Sequence, residues 1–133
     1  MKKIICLVAA LFASTASVAA TDHYYLRDGN HIHHMKVTTT GDDIHVSADV
    51  DFEANKGEEN AHSCSADISG PAKSTGDKEI TLKKQAEGKA HFCALKINLT
   101  DTGAKVEQTE GCTYFAAGIC HFDSDGKELL KLK

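Results

Sequence analysis

Hydrophobic and polar residues alternate along several stretches of this chain. In residues 91–100, Cys93, Leu95, Ile97 and Leu99 alternate with Ala94, Lys96, Asn98 and Thr100. Successive side chains of a strand point to opposite faces, so this period of two predicts a half-buried strand with one apolar, cysteine-bearing face. Residues 62–68 have the same design, with Cys64, Ala66 and Ile68 set between Ser63, Ser65 and Asp67. The cleanest case is residues 44–52, where Ile44, Val46, Ala48, Val50 and Phe52 alternate with His45, Ser47, Asp49 and Asp51. Further strands are expected over residues 22–26, 31–39, 78–84, 104–108, 119–122 and 127–132.

Turn signals fall between these runs: Asp28-Gly29-Asn30, Gly41-Asp42-Asp43, Asp101-Thr102-Gly103 and Asp123-Ser124-Asp125-Gly126. Ser69-Gly70-Pro71 is read as a break that ends the first cysteine strand and opens a loop through residue 77. Residues 53–61 read as a polar loop. Residues 119–122 are expected to pair with residues 127–132 across the last turn. No stretch sustains a helical period. The pattern defines an all-β fold, an antiparallel meander forming a small barrel or sandwich.

The first 20 residues stand apart. Lys2 and Lys3 precede a short apolar run, and Val18-Ala19-Ala20 supplies small residues for a signal peptidase. This is the pattern of a secretory signal peptide, too short to span a bilayer. Residues 1–20 are therefore assigned to the signal and 21–133 to a single β domain, periplasmic or secreted, with no membrane insertion. Cys6 leaves with the signal. The four remaining cysteines, Cys64, Cys93, Cys112 and Cys120, read as two disulfides in an oxidising compartment. Three pairings are possible. Cys64 with Cys93 is preferred because both are core-facing strand positions, and Cys112 with Cys120 because they would close a short glycine-containing loop.

The full chain carries 15 basic and 19 acidic residues, and loss of Lys2 and Lys3 makes it more acidic still. The acid is concentrated: Asp42, Asp43, Asp49, Asp51, Glu53, Glu58 and Glu59 lie in one segment with Lys56 alone. That argues against nucleic acid and anionic lipid as partners and favours a cationic protein or a cation.

Candidate chemistry is sparse. There is no Gly-x-Ser-x-Gly, no His-Glu-x-x-His and no glycine-rich phosphate loop, and Asp49 and Asp51 share a solvent face, so no enzymatic role is expected. Asp123-x-Asp125-Gly126 with Glu128 contains part of a calcium loop but lacks its remaining ligands, and is read as a turn. If the second hairpin pairs Val37 with Ile44, then Met35 faces Val46 and His33 faces Ala48. His31 and His33 then sit on the apolar face, where an unpartnered imidazole is costly. An alternative reading follows, in which His31, His33, His34 and Met35 bind copper or zinc. The leading reading needs no cofactor. It takes residues 69–77 and 110–118 as loops on one rim, with Ser69, Lys73, Tyr114 and Phe115 as partner-binding residues, the aromatic pair being pre-organised by a disulfide.

The signal peptide, the strand pattern and the spacing from Cys64 through Cys120 resemble small exported bacterial β-proteins stapled by disulfides, of the periplasmic lysozyme-inhibitor type. One branch of those inhibitors carries a Ser-Gly-x-x-Tyr loop that enters the lysozyme cleft. Ser69-Gly70 matches its start, and Lys73 stands where the tyrosine would be. The resemblance implies a non-enzymatic inhibitor or immunity protein directed at a cationic, lysozyme-like cell-wall hydrolase.

Overall fold

The computed structural model describes residues 18–54, 63–88, 90–116 and 120–133. The expected polar loop lies outside these residues, apart from its first two positions. Eight antiparallel strands follow one another around a closed barrel: β1 (Ala19–Asp28), β2 (His31–Thr40), β3 (Asp43–Phe52), β4 (Cys64–Gly76), β5 (Glu79–Gln85), β6 (Phe92–Leu99), β7 (Gly103–Gln108) and β8 (Leu129–Lys131). Each strand pairs with the next, and β8 returns to pair with β1 at Tyr24↔Lys131 and Tyr25↔Leu130. Closure removes the open edges that a sandwich would leave. Among the described residues no helix is long and apolar enough to cross a membrane.

The alternating positions fill the interior as the pattern requires. Val46, Leu82, Cys93, Leu95 and Ile97 are fully buried, and Met35, Val50, Ile68, Phe122 and Leu129 pack with them. Burying such side chains contributes about 1.5–3 kcal/mol each for the larger ones, which is the main force closing the sheet on itself.

The hairpin register differs from expectation. Val37 pairs with Val46, Met35 with Ala48 and His33 with Val50, because the turn is the two residues Gly41-Asp42. The shift is two residues, so every side chain stays on its expected face.

Three expectations are corrected outright. First, Ser69-Gly70-Pro71 does not end a strand; β4 runs through it to Gly76. The β4–β5 ladder begins only at Ala72↔Leu82, and the Ser69 carbonyl accepts from Lys84 Nζ at 2.9 Å rather than from a strand. Backbone groups of alternate residues face the same neighbour, so Pro71 has its missing N–H on this unladdered side, where proline is tolerated. Second, residues 120–122 do not form a hairpin with 127–132, and position 119 of that expected strand lies outside the described residues. Residues 122–124 run instead beside the outer half of β7, which β8 is too short to cover. Ser124 accepts from the Val106 amide at 3.0 Å, and Gln108 Oε1 accepts from the Phe122 amide at 2.7 Å.

Third, the disulfides are Cys64–Cys120 and Cys93–Cys112, with Cα separations of 6.2 and 4.2 Å. Cys64 and Cys93 do both face inward, but on strands that are not neighbours. A 3-10 turn, Glu110–Tyr114, folds back over β6 and delivers Cys112 to Cys93. That approach needs glycine at position 111, since a Cβ there would overlap the Phe92 carbonyl. Two formed disulfides place this fold in a non-reducing environment.

Candidate functional site

The end of the barrel at the β1–β2 turn holds a group of three imidazoles. His31 and His33 point inward from β2, and His121 arrives from the C-terminal segment. Cross-strand pairing brings it there. His31 pairs with Phe52, Phe52 pairs with Cys64, and Cys64 is bonded to Cys120, the residue before His121. The ring centroids of His31 and His121 are 5.4 Å apart, those of His31 and His33 6.2 Å, and those of His33 and His121 6.5 Å. Phe52 closes one side, its ring 4.9 Å from that of His31.

His33 is only 4% exposed. Burial, then the neighbouring His31 and His121, hold its protonation below the ordinary imidazole range, while Asp125 and Asp28 pull weakly the other way. The cluster therefore favours a neutral His33. His121 Nδ1 lies 2.9 Å from the Asp123 carbonyl oxygen. A carbonyl only accepts, so Nδ1 carries the hydrogen, and in the neutral ring Nε2 holds the lone pair. That Nε2 is 3.6 Å from Asp125 Oδ2. Asp28, at the edge of the group, takes a 2.6 Å hydrogen bond from Lys127, which lowers its pKa.

The four residues read together as a metal set are divided by the barrel wall. His34 projects outward, stacks on His23 with centroids 5.5 Å apart, and stands 3.9 Å from Asp49. Met35 is buried in the core. His121, absent from that set, is the third imidazole beside His31 and His33. Its signal was adjacency to a cysteine, readable only with the correct disulfide pairing.

The four residues read as partner-binding are likewise dispersed. Ser69 and Lys73 lie on the outer face of β4, on a strand and not on a projecting loop. Lys73 lines an open cleft of ≈ 930 Å³ on that face, with Thr38, His45, Thr81, Lys83 and Phe92. Tyr114 is exposed and stacks on His91 at 4.6 Å, next in sequence to Phe92. Phe115 packs against the core.

A second outer surface is acidic. Asp49 and Asp67 are direct partners across β3 and β4, and Asp51 sits opposite Ser65. Together with His34 they line a shallow pocket of ≈ 340 Å³. No protein-family model, curated protein or solved structure matches this chain.

Proposed function

We propose that this is an exported, non-enzymatic binding protein whose partner is a cationic protein, a lysozyme-like cell-wall hydrolase in the first instance. The observation that carries the reading is the pairing of Asp49 with Asp67, flanked by Asp51. Like charges directly opposite on paired strands are destabilising. Retaining them on an exposed face is favourable where a cationic surface neutralises them on binding, and such a face also speeds encounter with that partner. Two disulfides make a rigid platform suited to work outside the cell. The mode of binding differs from loop insertion, because Ser69 and Lys73 belong to a strand whose outer face is recessed at Lys73.

The test is binding of the oxidised protein to cationic lysozymes by calorimetry, with an assay of cell-wall hydrolysis alongside. Affinity should fall steeply with salt, and Asp49→Asn with Asp67→Asn should weaken it at least tenfold. Tyr114→Ala asks whether the exposed aromatic surface contributes. Binding indifferent to the two aspartates would place the contact elsewhere, and no affinity for any cationic hydrolase would overturn the reading.

A further inference from the structure

We propose that His31, His33 and His121 form a site for one borderline-soft transition-metal ion, zinc(II) or copper(II), at the β1–β2 end of the barrel. This is independent of the acidic face. A metal–nitrogen bond of about 2.1 Å places the imidazole centroid about 3.2 Å from the ion, so two ligating rings at the tetrahedral angle have centroids about 5.2 Å apart. His31 and His121 are already 5.4 Å apart, and His33 stands 6.2 and 6.5 Å from them. Among the described residues, no three His, Cys, Asp or Glu side chains are yet placed to hold one ion. Binding therefore includes a closure in which the rings of His31 and His121 approach His33 by about 1 Å. The closure is local: His31 adjoins the Gly29-Asn30 turn, and His121 lies in a segment outside the strands.

The surroundings suit the chemistry. The Asp123 carbonyl fixes the proton of His121 on Nδ1 and frees Nε2, which is the outer support that metal-ligating histidines use. Asp125 Oδ2, 3.6 Å from that Nε2, supplies a fourth donor or a charge beside the ion. Because His33 is buried, the ion is approached from the half-buried His31 side.

The experiment is titration of the oxidised, tag-free protein with zinc(II), and separately with cobalt(II), whose visible spectrum reports tetrahedral nitrogen ligation. One ion should bind per chain at micromolar affinity or tighter. His121→Ala and His31→Gln should each weaken binding at least tenfold, the second sparing the buried core and so serving if the first misfolds. His34→Ala and His23→Ala, on the opposite side of the wall, should leave it unchanged. Affinity weaker than about 100 μM, or a loss on His34→Ala equal to that on His121→Ala, would overturn the proposal. Lysozyme binding that persists in chelator would leave this outcome and that of the acidic face separately readable.

Discussion

The two halves of the barrel are held by different means. Strands β1 to β4 have 10, 10, 10 and 13 residues, and their pairing is regular over nearly the whole length. Strands β5 to β8 have 7, 8, 6 and 3 residues, and β7 meets β8 at only two paired positions, Gly103↔Leu130 and Ala104↔Leu129. Cys93–Cys112 lies within this second half, and Cys64–Cys120 ties it to the first. Side chain–backbone bonds from Ser124 and Gln108 complete what β8 leaves uncovered. Long ladders hold the first half, and in the second, covalent and side-chain links stand in for ladder where β8 falls short. The imidazole cluster lies at the seam, with two rings from β2 and one carried in on Cys120.

Breaking the covalent links should expose the difference most. Removing Cys64–Cys120, which spans a sequence separation of 56, should cost about 4 kcal/mol by chain entropy, and removing Cys93–Cys112, with a separation of 19, about 3 kcal/mol. Denaturant unfolding of the Cys→Ala double variants measures both. Hydrogen exchange on the same variants should show protection lost first in β6 to β8. Equal loss in β1 to β4 would mean that the halves unfold as one unit.

A smaller change tests the stand-in bonds. Ser124 is buried, accepting from the Val106 amide and donating to its carbonyl. Ser124→Ala should cost about 2 kcal/mol, because it strands a buried N–H. The smallest effect concerns acid. Glu128 accepts hydrogen bonds from Thr102 and Thr100, which lower its pKa from the ordinary carboxyl value of 4.5. Its contribution is complete above that value and disappears as pH falls through the lowered one. Stability curves between pH 6 and pH 3 should therefore flatten slightly in Glu128→Gln. An unchanged curve would show that this contact does not help to hold β8.

The interior was legible in sequence because alternation survives mistakes of register. Pairing Val37 with Ile44 is wrong by two residues, yet it leaves Met35, Val46 and Val50 on the correct side. The run through Pro71 was not legible, since whether a proline breaks a strand depends on which side carries a neighbour. The end of the chain was less so. Residues 119–122 look like a strand, but the partner that decides the path of residues 120–122 is Cys64, more than fifty residues earlier. With that link unknown, His121 could not be joined to His31 and His33. Candidate contacts at Ser69 and Lys73 were assigned to a loop for the same reason that β4 was cut short.

The disulfides are nested, the inner Cys93–Cys112 closing within the span of the outer Cys64–Cys120. During synthesis the chain emerges from its N-terminus, so Cys64 and Cys93 are the first two of these thiols to meet an oxidant. Joining cysteines in order of arrival would give Cys64–Cys93 and then Cys112–Cys120, and neither bond exists in the folded protein. Reaching the native pair requires either that the barrel assemble before oxidation or that early bonds be exchanged by thiolate attack. Whenever oxidation outpaces folding, the native pairs are therefore reached only through thiol–disulfide exchange.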